Sequence, residues 1–273
     1  MDHSFFSNTL LTNQQIAFYY LGQEGFLFQY KNTNLLIDPY LSDYVDRNCC
    51  SENKKWVRNY LPPIEAEELD FIDYVLCTHT HYDHMDPDTL SKLAKANPNA
   101  IFIVPDFAKE LAASYGIDPQ NIIGAVNNIS ISCKDCSVTA IPSAHEELHI
   151  DENGNFKEVG YIISFENIRL YHGGDCCLYE GLCEALMDVD ILMVPINGRS
   201  FFKLQDDIIG NMTIEEALVL AKKCKPDLLI PMHYDLYNIN CVNPAHFVDS
   251  LYSSNPTQKF HMFVPGERFI YSK

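Results

Sequence analysis

Thr78-His79-Thr80-His81-Tyr82-Asp83-His84 is the stretch on which the reading of this chain turns. It places three imidazoles and one carboxylate within six residues, directly after the apolar run Tyr74-Val75-Leu76-Cys77. A loop leaving a strand end can bring all four to one point, because alternate residues of an extended segment project to the same side. Neutral imidazole and carboxylate are ligands that zinc, iron and manganese accept. The alternative is a solvated histidine-rich loop, and the density of ligand types immediately after a strand argues against it.

Outward from this turn the chain alternates. On the amino-terminal side, Ile16 to Leu21, Gly25 to Tyr30 and Asn34 to Asp38 are short β-prone runs punctuated by Gly22, Gly25 and Asn32, which predicts a meander. Ser42 to Pro63 is polar and irregular, carries the sole tryptophan, Trp56, and reads as an inserted loop, either a cover for the site or an interface. Beyond the turn, a helix-like run from Pro87 to Ala96, an apolar run from Ala100 to Val104 and a second helix-like run from Phe107 to Tyr115 follow one another. Further strands are expected at 129–132, 137–141, 161–165, 168–172 and 190–194. Thr213 with Glu216 forms a capping box opening an amphipathic helix, the run Leu228-Leu229-Ile230-Pro231 leads to His233, and Pro244 suits the first turn of a last helix. Two β-rich halves, each followed by helices, predict an α/β fold of two facing sheets with helices outside, a four-layer αββα sandwich in one domain spanning residues 1–273.

The spacing His79-x-His81-x-Asp83-His84 resembles the signature of the metallo-β-lactamase superfamily. That resemblance implies three further ligands after later strands, and the chain offers Ser143-Ala144-His145, Gly173-Gly174-Asp175 and Pro231-Met232-His233 in that order. It implies that His79, His81 and His145 hold one divalent ion, Asp83, His84 and His233 a second, with Asp175 bridging. His145 is preferred to His149 because it directly follows the Val138 to Ile141 run. His172 reads as a packed or supporting residue. The resemblance further implies that Asp38, in Leu35-Leu36-Ile37-Asp38-Pro39, buttresses a metal histidine and that Asp83 orients a metal-activated hydroxide. The ions would be zinc or manganese, with iron also compatible with a mixed His/Asp set.

Other phrases resemble the branch of the superfamily that contains the L-ascorbate-6-phosphate lactonase: Gly22-Gln23-Glu24-Gly25-Phe26, Ile37 to Ser42, Pro195 to Arg199, Gly210 to Thr213 and Pro231 to Asp235. The chain departs from that lactonase in being shorter on the carboxy-terminal side, at Asn197-Gly198-Arg199 and around His145. The implied activity is hydrolysis of a small anionic lactone or ester. Arg199 is the candidate grip for an anionic handle, with a structural salt bridge as the alternative, and Asn197 and Asn211 are candidate substrate contacts or turn-shaping residues.

Bulk properties bound the alternatives. A formal charge of −18, with no basic cluster longer than Lys54-Lys55, opposes a polyphosphate substrate and so a nuclease or phosphodiesterase of the same superfamily. A non-hydrolytic metal scaffold or a flavodiiron-type oxidoreductase would lack some of these ligands or carry more carboxylates, and here all seven positions are filled. The opening Met1 to Phe6 has no basic region leading into an apolar run, and no stretch of about 18 apolar residues occurs, so neither a leader nor a membrane span is expected. Ten cysteines, including the adjacent pairs Cys49-Cys50 and Cys176-Cys177, read as reduced thiols, which points to the cytoplasm. Cys133 and Cys136 have redox-motif spacing but sit where a hairpin turn is expected. His3, His246 in the last helix and His261 in a terminal strand read as structural residues. The 16 tyrosines and 16 phenylalanines are spread through the strands and read as core, not as a membrane or base-stacking stripe. A homo-oligomer is compatible with all of this.

Overall fold

The computed structural model describes residues 11–273. The opening segment, on which the leader reading and the assignment of His3 rest, lies outside the described residues. Strands β1 (Gln15–Gly22), β2 (Gly25–Tyr30) and β3 (Thr33–Ile37) form the expected antiparallel meander. To it β4 (Tyr74–Leu76), β5 (Ile101–Pro105) and β6 (Ile122–Ala125) add in parallel, and β13 (Arg268–Ser272) pairs antiparallel with β1. The resulting seven-stranded order is β13-β1-β2-β3-β4-β5-β6. The second sheet has six strands. Its first four, β7 (Ser130–Ser132), β8 (Ser137–Pro142), β9 (Val159–Ser164) and β10 (Arg169–His172), run antiparallel, and β11 (Ile191–Pro195) and β12 (Leu228–Met232) continue in parallel.

Parallel neighbours need crossovers, and helices supply them. α2 (Pro87–Ala96) joins β4 to β5, α3 (Lys109–Ser114) lies between β5 and β6, and α6 (Ile214–Cys224) lies between β11 and β12. The Thr213/Glu216 capping box opens α6 as expected, Asp86 caps α2 through the Asp88 and Thr89 amides, and Asn243 caps the last helix, α7 (Pro244–Ser254). The period-2 geometry of β1 sorts its residues. Ile16, Phe18 and Tyr20 enter the core between the sheets with Ile163, Leu170 and Met193. Ala17, Tyr19 and Leu21 face outward onto Leu90, Leu93 and Ala112 of α2 and α3. The outer face of the second sheet packs on α4 (Leu182–Ala185), α6 and α7 through Leu182, Ala217, Leu220 and Leu251. Both faces of each sheet are therefore covered, which is why the central strands are nearly continuous apolar runs. The four-layer αββα sandwich is the fold observed.

Two local expectations change, at the Ser42 to Pro63 loop and at His261, and one element was not anticipated. The Ser42 to Pro63 loop is more regular than its polarity suggests: α1 (Tyr44–Asn48) forms within it, and Arg58 ties it down through Asp46 and the Ser42 carbonyl. A second short helix, α5 (Phe201–Gln205), follows Ser200, whose hydroxyl accepts from the Lys203 amide. His261 lies in extended chain ahead of β13, not in a strand, and pairs with Glu267 at 2.7 Å. Cys133 and Cys136 do occupy the β7–β8 turn, where the Cys133 amide donates to the Cys136 carbonyl. All ten cysteines are free. No helix among the described residues is long and apolar enough to cross a membrane.

Candidate metal centre

The predicted ligands leave the sandwich where β4, β8, β10 and β12 end, and Asp38 where β3 ends. Within each sheet these strands run in one direction, so their terminal loops meet at a single edge. The loop after β10 can approach the loop after β4 only because position 174 is glycine: its φ is +57°, and a Cβ there would lie 2.6 Å from the Thr78 side chain. Along this edge two ligand groups form. His79, His81, His145 and Asp175 make one, and Asp83, His84 and His233 the other, each with its donor atoms mutually within 4.8 Å.

Asp175 faces both groups. Its Oδ2 lies 3.8 Å from His79 Nε2 and 3.6 Å from His145 Nε2, whereas its Oδ1 lies 3.5 Å from His84 Nε2 and 3.3 Å from His233 Nε2. Asp83 Oδ2 stands 3.7 Å from His84 Nε2 and 3.5 Å from His233 Nε2. Two of the converging ring nitrogens, His79 Nε2 and His84 Nε2, are buried with no hydrogen-bond partner. Orphaned polar atoms of this kind are costly and uncommon, and a cation at the centre of each group would satisfy them. The residues present fit two divalent ions.

Electrostatics agree with that fit at His145, His79, Asp83 and Asp175, whereas His84 is shifted toward its protonated form and would give up that proton to a cation. Burial holds His145 down to about 4 and His79 well below the ordinary imidazole value, so both keep a free lone pair at neutral pH. For Asp83 and Asp175 burial opposes ionisation, but the surrounding imidazoles outweigh it and hold both carboxyls below the usual range. For His84 burial acts downward and is outweighed by Asp175, Asp83 and Asp38, which raise it.

Asp38 is fully buried and takes the Thr78 amide on Oδ1 (2.8 Å), and the Thr78 hydroxyl (2.6 Å) and His84 Nδ1 (2.9 Å) on Oδ2. It thereby fixes the His84 ring with Nε2 toward Asp83 and Asp175. Of the residues expected to touch substrate, Asn211 donates from Nδ2 to Asp175 Oδ1 at 2.7 Å, and so orients the carboxylate between the groups. Asn197 donates to Asn240 Oδ1 at 2.9 Å. The Arg199 guanidinium makes two 2.6 Å contacts with the Glu216 carboxylate and also donates to the Asn211 carbonyl. His149 is exposed and paired with Glu158. Both nitrogens of His172 are engaged by backbone, Nε2 on the Glu24 carbonyl and Nδ1 with the Gly174 amide.

Two buried residues of the β1–β2 turn, quoted above only within the phrase Gly22 to Phe26 and given no role there, join the site. Gln23 Nε2 lies 2.8 Å from Asp83 Oδ2 and 2.9 Å from His233 Nε2. Glu24 is wholly buried, neither of its oxygens has a hydrogen-bond partner, and burial followed by Asp175 raises its carboxyl well above the usual range. The available signal was two adjacent polar residues in a tight turn between aromatic strands. Three site residues, Gln23, Asp38 and His233, carry non-glycine left-handed backbone, with φ of 58°, 42° and 57°.

A model described as the beta-lactamase superfamily domain matches residues 33–234, which include every ligand named above. The chain belongs to the metallo-β-lactamase superfamily. Relatives in this superfamily include a UPF0173 metal-dependent hydrolase of Saccharolobus solfataricus, 28% identical over 84% of this chain and 88% of the relative. Another, from Archaeoglobus fulgidus, is 26% identical over 93% and 98%. Solved structures share the fold. A metallo hydrolase from Ignicoccus hospitalis has a TM-score of 0.69 at 19% identity, covering 95% of this chain and 99% of its own. An isothiocyanate hydrolase from Delia radicum gut bacteria has 0.73 at 17%, covering 94% and 100%.

Proposed function

We propose that this protein is a metal-dependent hydrolase acting on a small ester or lactone in a reducing compartment such as the cytoplasm. The observation that carries the reading is Asp175, whose two oxygens are divided between two histidine groups, each completed by residues from a different strand end. His79, His81, His145 and Asp175 would hold one divalent ion, and Asp83, His84, His233 and Asp175 the other, with zinc, manganese and iron all compatible with the donors. Two such ions supply Lewis acidity toward a substrate oxygen and acidify water.

The chain's own residues do the positioning. Asp83 stays ionised between His84 and His233 and can accept a hydrogen bond from the attacking water, fixing its direction. Asp38 holds the His84 ring and Asn211 holds Asp175, so neither ligand must reorganise as charge develops. No serine or cysteine nucleophile is required. The relatives' designation as metal-dependent hydrolases supports the class, and the charge of −18 favours small molecules over nucleic acid.

The test is elemental analysis of protein purified without added metal, then reconstitution with zinc or manganese and assay on lactones, carboxylic esters and phosphodiesters. Turnover of esters or lactones that disappears with chelator and returns with metal is the expected outcome. Stoichiometric metal with no turnover of any lactone or ester would defeat the reading.

A further inference from the structure

The ligand groups open into a cleft of about 170 Å³ whose opposite wall comes from two segments, the loop carrying α1 and the chain following α5. Val45, Cys49 and Trp56 line it from the first and Asp207, Ile208 and Ile209 from the second. Tyr82 and Asn240 complete the lining; beyond the candidate metal ligands it is mainly apolar, and its one charged group, Asp207, is an exposed carboxylate. Among the described residues no lysine or arginine lines this cleft.

Lys55 is exposed and lies outside the lining of the cleft, and the cations nearer to the cleft are engaged. Lys54 donates to the Asp206 carbonyl at 2.8 Å and so ties the two segments together. Lys203 donates to the Asn197 and Gly198 carbonyls at 2.6 and 3.3 Å. Arg58 is held by Asp46 and the Ser42 carbonyl, and Arg199 by Glu216. Two divalent ions would outweigh Asp83 and Asp175 and draw the reacting oxygen, but a second anionic group on the substrate would meet Trp56, Ile208 and the Asp207 carboxylate with no cation in the lining; the Lys54 ammonium, 5.9 Å from the Trp56 ring centroid, is turned to the Asp206 carbonyl. Desolvating an unpaired charge is costly, while covering an apolar chain is favourable.

Resting on the hydrolase reading for the bond that is broken, we propose that the non-reacting part of the substrate is an uncharged apolar group, a short acyl or alkyl chain, seated on Trp56, Ile208 and Ile209. This replaces the anionic handle expected from sequence. The wall is a specificity surface, and Asp207 excludes carboxylated or phosphorylated analogues.

Trp56 is the only tryptophan, so its emission reports occupancy independently of turnover. The zinc- or manganese-loaded protein is titrated with aceto-, butyro- and hexanohydroxamic acids and with adipic monohydroxamic acid, which is the six-carbon chain ending in a carboxylate. In parallel, kcat/KM is measured for the p-nitrophenyl esters of acetate, butyrate, hexanoate and adipate. Affinity and kcat/KM are expected to rise roughly fourfold per buried methylene, and the terminal carboxylate to lower both by about tenfold. Trp56→Ala should reduce the hexanoate-to-acetate ratio in the ester series. Asp207→Lys, a change at an exposed position, should raise the adipate-to-hexanoate ratio by about tenfold in both series. Equal or tighter binding of the carboxylated ligand, or affinity indifferent to chain length, would overturn the proposal. Chain-length-dependent binding with no ester turned over would leave the apolar surface standing and defeat the hydrolase reading instead.

Discussion

The two walls of the cleft are built on opposite terms. The ligand wall draws on five strand ends, is buried except at His81 and Asp83, and has its His84 ring and its Asp175 carboxylate fixed by residues beneath them, Asp38 and Asn211. The facing wall consists of two loop segments with short helices, joined to each other by Lys54, and offers apolar side chains; the α1 loop is braced from behind by Tyr40, Tyr237, Asp46 and Arg58, whereas the chain after α5 lacks such a brace among the described residues. Rigid placement suits atoms that must meet developing charge, whereas a surface that only covers a chain tolerates looser support. On the proposed reading, reaction type and substrate choice fall to different parts of the molecule, and each can be perturbed without the other.

The largest effect is expected on the ligand wall. Asp175→Ala removes the carboxylate shared by both groups and should lower ester hydrolysis roughly a thousandfold, with loss of bound metal by elemental analysis. Retained metal and activity would remove Asp175 from the centre of the site. Next, Asp38→Ala frees the His84 ring and should weaken metal affinity by about 10- to 100-fold in a chelator competition. Unchanged metal content and activity would end its buttressing role. A smaller effect is expected at Arg199, which does not line the cleft. If its work is the bridge to Glu216 at the start of α6, Arg199→Met should cost about 1 kcal/mol, a loss of a few degrees in Tm, and leave KM unaltered. A raised KM with unaltered Tm would move Arg199 into the substrate surface. The smallest concerns Lys203, which burial pushes down to about 8. Between pH 8 and the ordinary lysine value the unfolded chain holds a proton that the folded chain has released, so stability should rise with pH across that window. That rise should vanish in Lys203→Met, measured by chemical denaturation at pH 7.5, 8.5 and 9.5.

The ligand wall was legible in the sequence; of the facing wall only the Ser42 to Pro63 loop was expected, as a cover or an interface, and the chain after α5 was not, for a physical reason. A metal site needs particular donor atoms, so His79 to His84, His145, Asp175 and His233 stand out by type and by their position after apolar runs. The layers were legible too, because strands covered on both faces must be apolar throughout and the crossovers between them must be helical, as the Thr213 capping box announced. Trp56, Ile208 and Ile209 carry no such signature. Apolar residues are common to every core, and only the path of two loops brings these to one surface. Gln23 and Glu24 escaped because a glutamine and a glutamate in a tight turn normally face water, whereas here the turn tucks under His233 and His84. Arg199 was visible as a cation, but its partner Glu216 was read only as a cap. Local spacing cannot show that one carboxylate serves the helix start and the guanidinium together.

The left-handed backbone at Gln23, Asp38 and His233 has a further consequence for anyone altering this protein. Glycine would relax each of these positions, so the folded chain stores a conformational cost at the very residues that shape its reactive edge. Selection for heat resistance alone, whether in a laboratory library or by averaging over sequences, would favour substitutions that release this cost. A hardier protein obtained that way would be expected to have drifted toward an intact sandwich with a dismantled edge, and a screen for durability should therefore carry metal retention as a paired criterion.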